Sequence, residues 1–396
     1  MKRLVAVVVA GALSSSLLAD PASAGPRALA LVKTFRLQGD ETVTGLVAPA
    51  RRSAFVFAMR ERGTALEPLA FRWNGRAWSR SPLPGGVRGI PGQADASSAK
   101  NVWMTVMGNE GMLSRYLDGL PSDDCSTERG PSPAASRADA SPSKVLRWDG
   151  RRWTVARTFK NAYINEVLTF GPRDVRVYGL DRKGPASWHF DGEKWRRRSL
   201  PFHVLSAEAA SRRDIWALVR DRTSNGTRLV RFDGTRWAAA QPDAPSAGAS
   251  RTAADRTSMI LDFGLLDRGQ VWVSALTREG DVCSADAVST HAQLHWNGGS
   301  WTRETPRSAR GHYLSDYASD GAGGLYVHGW GPDRAGEDRH RLFHRSARGT
   351  WSHRTLTGAR SVQQITRIPG TRSLWAVGTR EGADGLNVAV WSLGRP

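Results

Sequence analysis

Trp148-Asp149-Gly150-Arg151-Arg152-Trp153 is one of five copies of a six-residue unit whose reading decides the fold. The others are Trp73-Asn74-Gly75-Arg76-Ala77-Trp78, Phe190-Asp191-Gly192-Glu193-Lys194-Trp195, Phe232-Asp233-Gly234-Thr235-Arg236-Trp237 and Trp296-Asn297-Gly298-Gly299-Ser300-Trp301. Aromatic rings bracket an Asn-Gly or Asp-Gly pair, which tolerates the positive φ of a tight turn between right-twisted strands. Each copy therefore reads as a β-hairpin. A sixth, His344-Arg345-Ser346-Ala347-Arg348-Gly349-Thr350-Trp351, keeps the final Trp on a different turn.

Upstream of the hairpins a second pattern recurs seven times: Phe55-Val56-Phe57, Asn101-Val102-Trp103, Asp174-Val175-Arg176, Asp214-Ile215-Trp216, Gln270-Val271-Trp272, Gly324-Leu325-Tyr326 and Ser373-Leu374-Trp375. Runs that are apolar on both faces fit strands covered on both sides. A weaker strand precedes each of them, as at Thr42 to Pro49, Ile164 to Phe170, Met259 to Phe263 and Val362 to Ile368, and a fourth leaves each hairpin Trp. Four strands in a unit of roughly fifty residues match the blade of a propeller.

The chain ends support a closed ring. The last unit stops at Val390-Trp391-Ser392-Leu393-Gly394, without its fourth strand, while Leu31 to Leu37 is a strand without a hairpin. Joining the two removes the exposed edges that an open array would present. The expectation is an all-β, seven-bladed β-propeller of four-stranded blades over residues 25–396, its ring closed by the N-terminal strand. Insertions are expected at about residues 109–144 in blade 2 and 277–293 in blade 5. A stacked β-solenoid or two smaller sandwiches would leave the matching termini unexplained.

Residues 1–24 read as a secretory signal: Lys2 and Arg3, then the apolar stretch Leu4 to Leu18, then Ala22-Ser23-Ala24. No later apolar run approaches the length needed to span a bilayer, so the expected location is extracellular or cell-wall associated. The two cysteines, Cys125 and Cys283, suit an oxidising compartment, as one disulfide across the loop-rich face or as two free thiols.

The formal charge of +19 is carried mostly by Arg dispersed through all units. It fits adhesion to an anionic cell-envelope polymer, and equally a genomic bias toward Arg, Ala and Gly. Nucleic acid is disfavoured, because no recognition helix or aromatic-basic module is present.

Ten residues before each marker aromatic stand Gly45, Gln93, Glu166, Ser206, Asp262, Asp316 and Ile365. On the innermost strands these would share one level of the central channel. Glu166, Asp262 and Asp316 could then hold Ca2+ or Mg2+, act as an acid and a base, or simply line a wet channel, with Gln93 as a polar neighbour. His291 with His295, and His340 with His344, lie four residues apart in extended chain, a separation of roughly 13 Å that precludes chelation by either pair alone. Trp330, beside the insertion Gly331 to His340, is the one tryptophan outside the repeat pattern and the candidate exposed platform. Pro121 to Ser143, rich in Ser, Pro, Ala and Asp, reads as a loop. No nucleophile elbow, phosphate loop or zinc signature occurs.

Arg213-Asp214-Ile215-Trp216-Ala217-Leu218 and Ser373-Leu374-Trp375-Ala376-Val377-Gly378, with the unit at Leu146 to Trp153, resemble exported actinobacterial β-propeller proteins, in a manner similar to WD40 and kelch arrays. The resemblance implies the fold and assigns no activity. Ser346 to Trp351 also resembles a sialidase-type Asp-box that lacks its Asp at Arg348. The functional expectation is a secreted, monomeric, non-enzymatic propeller that binds a glycan, a cell-wall polymer or an extracellular protein on its loop-rich face. The alternative is an extracellular polysaccharide hydrolase or lyase using the channel carboxylates.

Overall fold

The protein is described from a computed structural model, in which residues 29–36, 41–63, 65–109, 111–113, 116, 141–221, 227–240, 256–266, 269–279, 288–309, 311–333, 336–382 and 385–394 are placed. Strand β1 (Leu29–Arg36) comes first. Blade 1 holds β2 (Glu41–Ala50), β3 (Ser53–Arg62), β4 (Ala65–Trp73) and β5 (Trp78–Arg80). Blade 2 holds β6 (Ile90–Ser98), β7 (Asn101–Met107), β8 (Ser143–Trp148) and β9 (Trp153–Phe159). Blade 3 holds β10 (Ala162–Gly171), β11 (Asp174–Asp181), β12 (Gly184–Phe190) and β13 (Trp195–Ser199). Blade 4 holds β14 (Phe202–Ser211), β15 (Asp214–Asp221), β16 (Thr227–Phe232) and β17 (Trp237–Ala239). Blade 5 holds β18 (Arg256–Leu265), β19 (Val271–Glu279), β20 (Val288–Trp296) and β21 (Trp301–Arg303). Blade 6 holds β22 (Tyr313–Ser319), β23 (Leu325–Pro332), β24 (Asp338–Arg345) and β25 (Trp351–Thr355). Blade 7 holds β26 (Ala359–Arg367), β27 (Leu374–Gly382) and β28 (Gly385–Leu393), and β1 completes it in the order β1-β28-β27-β26.

The chain is thus an all-β, seven-bladed propeller of antiparallel four-stranded blades, closed by its N-terminal strand. Phe35 on β1 lies with its ring centroid 4.2 Å from Phe71 of blade 1, so the closing strand also packs against the next blade.

The hairpins form as their residue types require. In all five copies the Asn or Asp side chain accepts the amide protons two and three residues on, at 2.7–3.0 Å, as Asp149 Oδ1 does from Arg151 and Arg152. The following Gly takes φ between 91° and 100° in each. A side chain with a Cβ would be strained there.

In every blade but the third, the marker aromatic keys the blade into its successor. Trp375 packs on Trp73 and Trp78, Phe55 on Trp148 and Trp153, Trp103 on Phe190 and Trp195, Trp216 on Trp296, and Trp272 on Trp351. Tyr326 joins the cluster of Trp391. Trp103, Trp216, Trp272 and Trp375 are all within 2 % of complete burial. Truncating one such ring to Ala costs about 3–5 kcal/mol. The hairpin tryptophans are therefore packing residues, and Trp188, 7 % exposed, joins the core between blades 2 and 3.

Meander topology puts the turns from first to second and third to fourth strands on one face of the ring. The loops from second to third strands and between blades share the other, loop-rich face. Cys125 and Cys283 lie outside the described residues, as do residues 117–140 and 280–287 within the two expected insertions.

Candidate functional site

The inner strands surround a central cavity of about 550 Å³ lined by polar side chains, Gln93, Glu166, Asp262 and Asp316 among them. Each inner strand carries a bulge that sets which residues face the lumen. Gly45, Glu166, Ser206 and Asp262 each stand directly after the bulge and pair with the second-strand residue twelve positions on. The turns between first and second strands are therefore of equal length in these four blades, which places the four residues at one level. In blade 7 the turn is one residue longer, so Gln364 pairs with Val377 at that level, and Ile365 is buried in the core between blades 6 and 7. In blade 6 Asp316 is the bulged residue itself, at φ 54°. Gln93 falls in the wide irregularity between Pro91 and Ala94, exposed to the lumen.

Two further carboxylates line the same cavity, Asp95 on β6 and Glu208 on β14. They pair with the marker residues Trp103 and Trp216, one inward-facing step along from Gln93 and Ser206. Their signal in the sequence is the period-2 alternation of a strand, Gln93 to Asp95 and Ser206 to Glu208. Reading a single level of the channel misses them.

Most of these groups staple neighbouring blades together. Asp95 accepts the Thr169 amide at 2.7 Å, Glu166 that of Ala207 at 3.2 Å, and Glu208 that of Leu265 at 2.7 Å. Asp262 accepts the Asp316 amide at 2.7 Å, and Gln364 that of Leu46 at 2.6 Å. Each bond links the inner strand of one blade to that of the next. It satisfies a backbone donor that the bulged edge would otherwise leave unpaired. Glu166 is the most committed, 3 % exposed, with its other oxygen accepting the Val167 amide.

Asp316 is different. Among the described residues its carboxyl accepts no hydrogen bond, and its backbone is held in a left-handed conformation that L-residues seldom adopt.

None of the five carboxylates forms an ion pair among the described residues, and Arg367 is the one cationic side chain on the cavity wall. Burial therefore pushes all five toward the neutral form, and repulsion from neighbouring carboxylates adds to it at Glu166, Glu208 and Asp316. Burial raises Asp95, opposed by its amide bonds to Thr169 and Ala96. Burial drives Glu166 well above the carboxylate range, against its two amide bonds. Burial takes Glu208 up to about 8 and Asp262 up to about 6. Burial, reinforced by the charges of Asp262 and Glu208, takes Asp316 well above its usual value. Asp262 and Asp316 are thus neighbours whose ionisations oppose one another. Among the described residues, no group of three or more His, Cys, Asp or Glu side chains could hold a metal ion.

At the loop-rich mouth, Trp330 is 45 % exposed, and the residue directly across from it on β22 is Tyr313, 37 % exposed. These are the only exposed large aromatics among the described residues. Tyr313 lies three residues before Asp316, carries the edge-to-face ring of His291 at 5.8 Å, and has its phenol raised by burial and by the charge of Asp262. Tyr313 is thus within electrostatic reach of Asp262, while the cavity itself is lined from the level of Asp262 toward the first-to-second-strand turns, on the side opposite the aromatic pair. The histidines spaced four residues apart have other ring partners. His295 stacks on Trp272, and His340 contacts His328 instead, with 3.0 Å between Nδ1 of the former and Nε2 of the latter.

No family model matches the chain, and no curated protein matches it. Solved structures share the fold. YCF48 bound to D1 peptide aligns at TM-score 0.55 and 10 % identity over 90 % of this chain and 95 % of the other. YCF48 from Cyanidioschyzon merolae aligns at 0.52 and 11 %, over 91 % and 98 %. An ulvan lyase of a new family of polysaccharide lyase, bound to -[GlcA(1-4)Rha3S]-, aligns at 0.51 and 11 %, over 90 % and 95 %. At such identities the likeness extends to the architecture and no further.

Proposed function

We propose that this protein is a secreted, non-enzymatic binding propeller whose loop-rich mouth recognises a glycan of the cell envelope. The observation that carries this reading is the exposed cross-strand pair Tyr313 and Trp330 at the loop-rich mouth, with Tyr313 within electrostatic reach of Asp262. Aromatic faces offer a rigid platform for the apolar face of a sugar ring, and a nearby carboxyl such as Asp262 can hydrogen-bond its hydroxyls. The acidity of the lumen favours a neutral or amino-bearing glycan over a polyanion at this mouth. The +19 charge of the chain would then act over the outer surface, as a salt-sensitive attraction to anionic wall components. Secretion rests on the N-terminal sequence, and among the described residues no helix is long and apolar enough to cross a membrane.

The test is retention of the signal-free protein on a panel of immobilised glycans and cell walls at low and high salt. Salt-resistant retention on particular neutral glycans supports the mouth as the recognition site. Retention abolished uniformly by salt would reduce the interaction to general charge attraction.

A second reading has its own observation. Asp316, strained, unbonded and electrostatically opposed to Asp262, fits a protonated acid beside an ionised partner, as polysaccharide hydrolysis requires. Release of reducing sugar from a retained glycan, lost in Asp316→Asn, would favour the enzyme. Retention without turnover would favour the binding protein.

A further inference from the structure

Between most blades the marker aromatic of one blade fills the slot against the hairpin of the next. Between blades 3 and 4 the marker is Arg176, and a cavity of about 220 Å³ opens there instead, on the outer wall toward the turn face. It is separate from the channel and independent of the reading above.

Four arginines line it, Arg176, Arg196, Arg197 and Arg198, with Tyr178 and Ser187, against Phe232 and Trp237 of blade 4. The register builds it as two cross-strand rows on one face of the blade: Arg176, His189 and Arg196, then Tyr178, Ser187 and Arg198. Three members of this wall already have acidic partners: His189 with Asp174, Arg196 with Asp191, and Arg197 with Asp181. Arg176 and Arg198 have no carboxylate partner among the described residues, and no acidic side chain lines the cavity.

Arg176 is packed rather than paired. The rings of Phe170 and Phe232 lie 5.7 and 5.3 Å from its guanidinium carbon, and such packing leaves the N–H edge of the fork to Tyr178 and the cavity. Tyr178 is 1 % exposed, and its hydroxyl faces the Arg176 guanidinium, which can only donate to it, so among the described residues its own proton has no acceptor. Burial pushes its phenol up to about 12, so it keeps its proton at neutral pH, and the neighbouring Arg176 has no acceptor to offer it. A buried donor without an acceptor is costly, and beside two unpaired guanidinium groups it calls for an anionic acceptor.

We infer that the slot between blades 3 and 4 binds a tetrahedral oxyanion, a sulfate or phosphate ester on a small polar group, through Arg176, Arg198 and the Tyr178 hydroxyl. Guanidinium forks match the geometry of such oxygens. The volume is below that of common small-molecule sites, so it suits one charged group and a single sugar ring.

The test uses titration calorimetry of the signal-free chain in chloride buffer with inorganic sulfate, inorganic phosphate, glucose 6-sulfate and glucose 6-phosphate, with the tryptophan fluorescence change that is lost in Trp237→Phe as a second readout. Arg198→Gln, at an exposed position, and Tyr178→Phe, which keeps the ring against Trp237, should each weaken binding by about tenfold or more. Arg151→Gln, on the exposed blade 2 hairpin, should leave it unchanged. A preference between the two sugar esters identifies the natural source, and either preference upholds the site. No binding at about 10 mM of any probe, or equal affinities in wild type, Arg198→Gln and Tyr178→Phe, would overturn it.

Discussion

Replacing Glu208 with Gln removes one charge from the acidic channel while keeping an oxygen to accept the Leu265 amide. The carboxyl sits at about 8 against an ordinary value of 4.5. A carboxyl raised on folding stabilises the native state fully below pH 4.5, and that contribution is lost as pH rises through 8. At about 1.4 kcal/mol per pH unit the gap gives a ceiling of roughly 5 kcal/mol. Glu208 faces a lumen open to solvent, which screens the interaction and brings the expected effect to about 2 kcal/mol at pH 9. Near pH 4 the two proteins should have equal stability. Above pH 8 Glu208→Gln should melt several degrees higher, by calorimetry or tryptophan fluorescence in matched salt. A variant less stable than wild type at pH 9, or a difference independent of pH, would refute the account of the channel as a ring of opposed carboxyls.

Phe35→Ala removes the half-buried contact of the closing strand with Phe71 and should cost about 2 kcal/mol in a denaturant melt; an unchanged midpoint would mean that β1 does not lock the ring. Gly179→Ala would place a Cβ 1.9 Å from the Tyr163 carbonyl oxygen, so its expression and melting temperature should fall sharply, whereas a native-like melt would contradict the β10–β11 register. Asp316→Gly should raise stability, because it relieves both the positive φ and a raised carboxyl; a loss of stability would show that the Asp316 side chain bonds within the fold.

The architecture was legible in the sequence because the Asp-Gly and Asn-Gly turns and the marker aromatics are local requirements repeated in each blade. Glu166, Asp262 and Asp316 could be brought to the channel by counting back from those markers. Their roles could not. Whether a carboxyl staples blades, as Glu166 does, or stands unbonded, as Asp316 does, depends on where each bulge falls, and bulges leave no mark in composition. The one-residue difference in the blade 7 turn moved the lumen position from Ile365 to Gln364 for the same reason. Arg176 was visible as the non-aromatic marker, but the cavity beside it follows from cross-strand register and from the packing of blade 4.

The most direct measurement of the central claim is the affinity of the best-retained glycan for wild type and for Trp330→Ala, with melting temperatures taken on the same samples. Because Trp330 is 45 % exposed, its loss should leave the melting temperature within about 1 °C while weakening binding about tenfold. Equal affinity in the two proteins would contradict recognition at the Tyr313–Trp330 mouth.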